Sequence, residues 1–186
     1  MVFVPPSWIW GAFVYGIIYL IPAVVGFTCM FLGATNSDYG GWILALFGIG
    51  ILIGGGVGAS YVLHEMYEVP SVQEEIITVD EWQPVPSIQP NENGIISINS
   101  ANDLMLVTTN GKCFYNKENM WFSKFETRDI FNKLRINGTY KIKYYGWRNG
   151  YNDGFPNLLS VEQVIDENNT VPMKYSDYFG AKLTLK

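Results

Sequence analysis

The sequence predicts a pair of membrane-spanning helices followed by a small β-rich domain that holds one short helix. Three observations support this prediction. Two long apolar runs fill the first third of the 186-residue chain, with a short polar segment between them. Beyond them, short segments rich in β-branched and aromatic residues alternate apolar with polar side chains, as half-buried strands do. One later segment changes to helical spacing.

The two apolar runs are long enough to cross a bilayer. They extend from Trp8 to Leu32 and from Trp42 to Leu63, which is 25 and 22 residues, or about 33–37 Å as helices. A hydrocarbon core is about 30 Å thick. Asp38 is the only charged side chain between the runs. Aromatic residues lie at the ends, where lipid headgroups favour them: Trp8, Trp10, Tyr39, Trp42, Tyr61 and Tyr67.

Two other interpretations of these runs are a cleaved signal peptide and a buried soluble hairpin. Residues 1–37 hold no charged side chain, whereas a signal peptide has a basic start and a shorter apolar region. Each helix of a soluble surface hairpin has a polar face, and neither run shows one. We therefore expect an integral membrane protein with two spans and with both termini on the same side.

Small residues recur along the second run. Gly50, Gly54 and Gly58 are four residues apart and share one helix face, which suits close packing against another helix. In the first run, Ala12 and Gly16 offer a matching step. The spacing predicts helix packing through these residues, either within the hairpin or between two copies of the chain. The expected partners are the lipid bilayer, a second copy or other membrane subunits.

Charge is distributed unevenly along the chain. All 12 Lys and Arg residues lie from Lys112 onward, whereas residues 64–111 carry eight acidic residues and no basic one. No Lys or Arg flanks either apolar run, so the positive-inside rule gives no orientation. We divide the chain into a two-helix hairpin (1–67), an acidic neck (68–75), a β domain (76–166) and a C-terminal extension (167–186).

Strands are predicted where β-forming residues alternate with polar ones. Asn110-Gly111 between two such segments predicts a hairpin with a type I′ turn, because this dipeptide tolerates positive φ angles. A helix is predicted at 126–135, where apolar residues have helical spacing. The predicted strands are 76–82, 104–109, 112–116, 139–145 and 158–165, with candidate short strands at 95–98 and 181–186.

The order of these elements indicates a particular architecture. Strand, two-stranded hairpin, helix, strand, strand is the order of a five-stranded barrel of the oligonucleotide-binding (OB) type, whose single helix lies between the third and fourth strands. A small sandwich or an open half-barrel has a compatible order. The sequence thus predicts an OB-like five-stranded barrel with one short helix, and these two architectures are the alternatives.

Aromatic and basic residues concentrate around the end of the fourth of these strands. Alternation places Lys141, Lys143 and Tyr145 on one strand face. Gly146 suggests a bulge, after which Trp147 can stack on the Arg148 guanidinium. Such a face suits a polyanion, a glycan or a peptide. The candidate interaction surface is therefore Lys141, Lys143, Tyr145, Trp147, Arg148 and Tyr151.

Four motifs resemble, in the same order, those of a family of small membrane-anchored proteins from bacteria and their phages, known only as a domain of unknown function. They are Asn110-Gly-Lys, Asn119-Met-Trp-Phe-Ser-Lys-Phe, Tyr140-Lys-Ile-Lys-Tyr-Tyr-Gly-Trp-Arg and Phe155-Pro-Asn-Leu-Leu-Ser-Val161, within about residues 76–164. The resemblance implies a membrane-tethered β domain outside the cytoplasm and supplies no catalytic residue. The chain departs from the family pattern by having two spans and a longer loop at 149–154.

Three functional classes can be compared. An enzyme is the least favoured, because the only histidine, His64, lies at the predicted membrane surface and no cluster has metal-ligand or triad spacing. No cofactor or metal is expected. A tethered ligand-binding module is the alternative, with nucleic acid disfavoured by the membrane tether. The favoured hypothesis is a non-enzymatic accessory or structural subunit of a membrane assembly, with a phage-encoded factor that modifies the host envelope as a variant.

Overall fold

The chain forms two compact units, Met1–Pro70 and Ser71–Lys186. The computed structural model describes residues 5–36, 39–86, 88–89, 91–98, 100–148, 154–167 and 182–184. Within that part of the chain, the first unit is helical and the second contains the strands. This division agrees with the predicted order of a helical hairpin followed by a β domain.

Two long helices form the first unit. Helix α1 covers Trp8–Thr35 and helix α2 covers Tyr39–Leu63, so both apolar runs are helical over their whole length. The Ser7 side chain caps α1 by accepting a hydrogen bond from the Trp10 amide at 3.4 Å. α2 continues into a π-helical turn at His64–Glu68. The two predicted helices are therefore confirmed.

Glycine residues bring the two helices into contact. A Cβ atom at Gly48 would lie 2.6 Å from the carbonyl oxygen of Gly26. No real side chain fits at that distance, and Gly33 approaches α2 in the same way. Farther along the pair, Tyr19 Oη and Ser60 Oγ are hydrogen-bonded at 2.8 Å. α1 and α2 therefore pack along their length, with small residues where their backbones come closest.

The residues that were predicted to pack the hairpin lie on another face. A Cβ atom at Gly16, Gly50, Gly54 or Gly58 would meet no atom within 4 Å, and Ala12 is exposed. The prediction that these five residues join α1 to α2 is therefore wrong. The reason is geometric, because Gly50 is two residues beyond Gly48, a rotation of about 200° around an α-helix. Packing between two copies of the chain stays a prediction.

Large apolar side chains of the helical unit point away from the helix pair. Phe31, Phe47 and Ile53 are each more than 60% exposed, and many other apolar residues of α1 and α2 share this exposure. Both helices are long and apolar enough to cross a membrane. A helix in the core of a soluble protein has most of these side chains buried, and these helices do not.

The second unit contains the strands and one short helix. β1 begins three residues before the predicted boundary at 76, so the predicted acidic neck at 68–75 belongs in part to this strand. In chain order the elements are β1 (Gln73–Pro84), β2 (Ile95–Ser97), β3 (Leu104–Thr108), β4 (Cys113–Tyr115), α3 (Thr127–Lys133), β5 (Thr139–Tyr145), β6 (Asn157–Asp166) and β7 (Lys182–Thr184).

Five strands form one mixed sheet whose order closes on itself. β1 pairs with β3 on one side and with β5 on the other, and the order β1-β3-β4-β6-β5 returns to β1. All neighbours are antiparallel except β4 and β6, which are parallel. α3 lies between β4 and β5 in the sequence, as predicted. β2 and β7 form a separate two-stranded pair.

The predicted hairpin at Asn110-Gly111 joins β3 to β4, but its turn differs from the predicted type. Only Gly111 of the two has a positive φ, at +78°, whereas a type I′ turn needs both. The Asn110 side chain accepts hydrogen bonds from Thr108 Oγ1 at 2.6 Å and from the Lys112 amide at 3.3 Å. These hydrogen bonds hold a loop that is longer than the two-residue loop of a type I′ hairpin. The hairpin is thus confirmed, and the type I′ turn is wrong.

Large side chains fill the interior of the β unit. Tyr140 and Ile142 of β5 are fully buried, as is Phe114 of β4. The ring of Phe131 on α3 lies 4.8 Å from the ring of Trp82 on β1, which joins the helix to the sheet. The β unit therefore has a hydrophobic core of its own, to which its short helix contributes.

Candidate binding cleft

A cleft of about 380 Å³ opens on the surface of the β unit. It lies between the β3–β4 hairpin and the two segments that lead out of β5 and into β6. Pockets of this size hold a small molecule or one end of a larger ligand. The lining side chains that matter most for its chemistry are Lys112, Cys113, Tyr144, Trp147, Arg148 and Phe155.

Gly146 turns the chain out of β5 and into the cleft. Its φ of +84° is in the region that favours glycine, so the strand ends here and Trp147 and Arg148 follow on the cleft wall. The Gly146 amide donates a hydrogen bond to Ser71 Oγ at 2.7 Å, and Ser71 is fully buried. A bulge was predicted at Gly146, but β5 ends at Tyr145 and the chain turns at Gly146, where a buried hydroxyl holds it.

The Arg148 side chain contacts Phe155, which also lines the cleft. Its guanidinium carbon lies 3.9 Å from the centre of the Phe155 ring, a distance typical of a cation–π contact. Its Nη1 donates a hydrogen bond to the Gly154 carbonyl at 3.3 Å. These contacts orient an exposed positive charge beside the ring of Phe155. The sequence paired Arg148 with Trp147 instead, and that pairing stays a prediction.

Glu75 contacts two residues of the cleft wall, Lys112 and Tyr144. It forms an ion pair with Lys112, and its Oε2 accepts a hydrogen bond from the Tyr144 hydroxyl at 3.3 Å. Burial, with the negative charge of Glu75, raises the pKa of Tyr144 to about 12. The hydroxyl therefore keeps its proton at neutral pH. Lys112 and Arg148 are the two basic side chains that line the cleft.

Cys113 places a thiol in the cleft wall. Burial raises the pKa of this thiol, although the nearby charge of Arg148 acts in the opposite direction. A thiol with a raised pKa is a poor nucleophile at neutral pH, because the thiolate is the reactive form. Cys113 thus contributes a small, partly buried side chain to the cleft wall.

The structure separates the predicted interaction residues into different surroundings. Trp147 and Arg148 line the cleft. Lys141 forms ion pairs with Glu74 at 2.6 Å and Glu162 at 3.3 Å, and Lys143 lies 3.8 Å from Glu162. These two lysines therefore take part in charge pairs across β1, β5 and β6 and do not line the cleft. Tyr151 lies outside the described residues.

Tyr145 was predicted to belong to the interaction surface, but the structure places it in the interior of the β unit. The residue is only 8% exposed because the segment that follows β4 covers it. Its ring lies 4.5 Å from the ring of Phe122. Its hydroxyl oxygen accepts hydrogen bonds from Asn119 Nδ2 at 2.7 Å and Asn157 Nδ2 at 3.0 Å. Tyr145 belongs to the interior of the β unit.

A buried lysine lies in the same polar cluster. Lys124 is 5% exposed, and its Nζ donates hydrogen bonds to Asn116 Oδ1 at 3.1 Å and to Asn157 Oδ1 at 3.3 Å. Burial lowers the pKa of Lys124 to about 7. The Asn157 side chain also binds the Lys117 amide and carbonyl, at 2.8 and 2.9 Å, as a paired strand would. The cluster therefore links the segment after β4 to β6.

Sequence reasoning missed several of these residues. Lys112 and Cys113 follow the predicted hairpin turn, and Phe155 lies in the quoted Phe-Pro-Asn motif, so each stood near a recognised signal. The missing information was that the hairpin and the β5–β6 connection meet. Lys124 lies in the quoted motif that begins at Asn119, but its burial was not predicted because it depends on Asn116 and Asn157, which lie outside that motif.

The cleft combines aromatic faces, an oriented guanidinium and a half-buried thiol of raised pKa. Among the described residues, no group of three or more His, Cys, Asp or Glu side chains could hold a metal ion. The arrangement therefore suits recognition of an anionic group beside an apolar surface.

No family model, curated protein or solved structure matches the chain. The resemblance drawn from the sequence motifs stays a prediction.

Proposed function

We propose that this chain is a non-enzymatic integral membrane protein in which two spans tether an OB-type barrel that binds a partner. In this proposal the protein is an accessory subunit of a membrane assembly, and the cleft beside Arg148 is its recognition site. An even number of spans places both termini on the same side of the membrane. We place the β unit on the extracytoplasmic side, as the sequence resemblance implies.

The outward-facing apolar side chains of α1 and α2 are the observation that carries the proposal. Only 11% of the most apolar window of each helix is buried. Every apolar Å² left in water costs about 25 cal/mol, and patches larger than a few hundred Å² mark an interaction or membrane surface. Lipid tails can contact such an apolar surface all around the helix pair. A cleaved leader is disfavoured because α1 packs against α2 through Gly26 and Gly33.

The assignment of the β unit to the OB type is supported by its connectivity. The five strands of the closed order occur along the chain as strand, hairpin, helix, strand, strand. The helix lies between the third and fourth of them, as in OB barrels. A sandwich would keep two sheets with separate edges, whereas here each of the five strands has a partner on both sides.

A binding role is favoured over catalysis because the cleft offers contacts without an activated group. Trp147 and Phe155 provide aromatic surface, and Arg148 provides charge. The thiol of Cys113 has a raised pKa. This set suits the recognition of an anion-bearing ligand, and it contains no paired nucleophile and base.

Membrane integration is tested by alkaline carbonate extraction of membranes that contain the full chain. We expect the protein to stay in the membrane pellet and to float with lipid in a density gradient. Release into the supernatant would contradict the two-span proposal. A peripheral protein of known behaviour, expressed in the same cells, serves as the control for the extraction itself.

Assembly through the open face of α2 is tested by Gly54→Leu. We expect a second copy to pack against Gly50, Gly54 and Gly58, so this change should convert a detergent-solubilised dimer to a monomer. Gly56→Leu is the matched control, because a Cβ at Gly56 also meets open space and Gly56 lies on another side of the helix. Equal loss of assembly in both variants, or a monomeric wild type, would contradict a glycine-mediated dimer.

A further inference from the structure

Three buried side chains of the β unit bring an amine, a carboxamide and a hydroxyl together. They belong to Lys124, Asn157 and Tyr145. Lys124 Nζ lies 3.3 Å from Asn157 Oδ1, and the Tyr145 hydroxyl oxygen lies 3.0 Å from Asn157 Nδ2. An amide exchange reaction needs a nucleophilic amine, a carboxamide and a proton donor for the leaving nitrogen. All three groups therefore lie around one side chain.

The amine of Lys124 is suited to act as the nucleophile. A neutral amine has the lone pair that an ammonium lacks, and burial favours the neutral form. Burial lowers the pKa of Lys124 to about 7, although the negative charge of Glu118 acts in the opposite direction. Nζ also donates a hydrogen bond to Asn116 Oδ1 at 3.1 Å, which holds it beside Asn157. At slightly alkaline pH most of these amines are uncharged and in place.

The carboxamide of Asn157 is held at both of its ends. Its Oδ1 accepts a hydrogen bond from the Lys117 amide at 2.8 Å, and its Nδ2 donates one to the Lys117 carbonyl at 2.9 Å. Because a backbone amide only donates and a carbonyl only accepts, these bonds fix which end is the oxygen. When the carboxamide carbon is attacked, negative charge develops on Oδ1. The Lys117 amide stabilises that charge as a donor of an oxyanion hole does.

We propose that Lys124 and Asn157 form an intramolecular isopeptide bond. Nζ attacks Asn157 Cγ, which is bonded to Oδ1, and a bond between Nζ and Cγ forms. The bond between Cγ and Nδ2 then breaks, and Nδ2 leaves as ammonia. Nδ2 is basic once Cγ is tetrahedral, so it takes its proton from the Tyr145 hydroxyl. The proton that Nζ gives up restores this hydroxyl, and the step needs no oxidant or other reactant.

The position of the bond gives it a structural role. In the part of the chain that the structure describes, β4 and β6 pair only at Tyr115 and Asn157. Lys124 lies in the segment that follows β4, 33 residues before Asn157. The bond therefore joins that segment covalently to β6 where the closure of the sheet depends on one residue pair. Once it forms, Lys124 no longer binds a proton, so any pH dependence from this lysine belongs to chains with a free amine.

Intact mass spectrometry of the full chain in detergent tests for the bond. Chains purified at about pH 6, where Lys124 is protonated, are shifted to about pH 8.5 and followed over time. We expect the mass to fall by that of one ammonia molecule, and peptide mapping to show Lys124 joined to Asn157. Lys124→Met should keep its full mass, whereas the matched change Lys133→Met, at an exposed position of α3, should lose ammonia. A wild-type mass that equals that of the sequence throughout would overturn the proposal.

An Asn-Gly pair can also lose ammonia, by closing to a succinimide. Asn110-Gly111 and Asn137-Gly138 are pairs of this kind. Hydroxylamine cleaves a succinimide and leaves an isopeptide bond intact, so the lighter chains are treated with hydroxylamine before peptide mapping. Survival of the bond between Lys124 and Asn157 supports the proposal. A loss of ammonia that maps only to an Asn-Gly pair, or a bond from Lys124 to Asn116, would overturn it.

Tyr145→Phe tests the proton donor. This change keeps the ring that lies 4.5 Å from the ring of Phe122 and removes only the hydroxyl. We expect the bond to form about 100-fold more slowly, a typical loss for a general acid. Near-ultraviolet circular dichroism checks that the variant is folded, and its result stands whether or not Lys124→Met folds. Bond formation at the wild-type rate in a folded Tyr145→Phe chain would overturn the proposed step.

Discussion

The two units of this protein use similar apolar residues in opposite ways. Phe47 on α2 is 63% exposed, whereas Phe114 on β4 is 1% exposed. In the helical unit the large side chains face outward, and glycines such as Gly26 and Gly48 lie between the helices. In the β unit the large side chains face inward. The difference agrees with the membrane location that we propose, since a lipid-facing surface needs apolar groups outside and a water-facing one needs them inside.

Each of the two units is also stabilised internally by a different kind of interaction. In the membrane location that we propose, the helix pair depends on close backbone approach, because lipid gives apolar side chains no reason to cluster. The β unit depends on removing apolar surface from water and on a closed set of strand pairs. Mutations should therefore have different effects in the two units, and the size of each effect tests this contrast.

The largest effect is expected from Phe114→Ala. This change empties a fully packed site in the β unit, so it should lower the free energy of unfolding by about 3–5 kcal/mol. Urea unfolding of the full chain in detergent, followed by near-ultraviolet circular dichroism, measures the change. Phe125→Ala is the matched control at a residue that is 63% exposed, and it should cost less than about 0.5 kcal/mol. Equal costs would contradict the assigned core.

The second effect concerns pH and the buried Lys124. Its pKa is lowered by burial from 10.5 to about 7 in the folded protein. Below pH 7 the folded and unfolded states both bind the proton. Between pH 7 and 10.5 the unfolded state binds more protons, so stability rises with pH. We expect a gain of about 2–3 kcal/mol between pH 7 and pH 9.

Lys124→Met tests the source of this pH dependence. The variant should lose the rise in stability between pH 7 and pH 9, because no group at that site exchanges a proton. Lys133→Met, at an exposed position of α3, should keep it. Measurements stop at pH 9 because the raised pKa values of Tyr140 and Tyr144 act in the opposite direction at higher pH. A wild-type stability that is flat over this range would contradict the burial of the lysine.

The third effect tests the helical unit. In Gly48→Leu the new Cβ would lie 2.6 Å from the Gly26 carbonyl oxygen, and overpacking of this kind costs about 1–3 kcal/mol. We expect the helices to separate while the β unit keeps its unfolding midpoint. A short bifunctional thiol reagent that links Tyr19→Cys to Ser60→Cys measures their separation. Undiminished cross-linking in the Gly48→Leu background would show that the glycine contact is not needed.

The smallest effect is expected at the exposed charge pairs of the β unit. Lys141 lies 2.6 Å from Glu74, and this contact lowers the pKa of Glu74 and raises the pKa of Lys141. Exposed pairs of this kind contribute little to stability. Lys141→Gln should therefore move the melting temperature by less than about 3 °C. A much larger loss would mean that the charge network across β1, β5 and β6 is part of the fold.

The elements that depend on local pattern were predictable from the sequence. The lengths of α1 and α2 follow from uninterrupted apolar runs, and the hairpin follows from Asn110-Gly111 between alternating segments. Strand β5 follows from the alternation that buries Tyr140 and Ile142. In each case neighbouring residues carry the whole signal, so no knowledge of the tertiary contacts is needed.

The features that depend on distant partners were not predictable. Gly48 and Gly54 are chemically identical and lie in the same helix, and only the position of α1 decides which of them is buried. Tyr145 is covered because the segment around Phe122 folds over it. The cleft likewise forms only where the hairpin meets the β5–β6 connection, so Trp147 and Arg148 were recognised while Lys112 and Phe155 were missed.

Two phenylalanines with the same exposure give the most direct test of the central claim, that the helical unit lies in lipid and the β unit in water. Phe47 on α2 and Phe125 in the β unit are both 63% exposed. Each is changed to Cys in a Cys29→Ser and Cys113→Ser background, and the full chain in lipid nanodiscs is treated with a charged, water-soluble maleimide. We predict rapid labelling of Phe125→Cys and none of Phe47→Cys. Equal labelling of both would contradict the account.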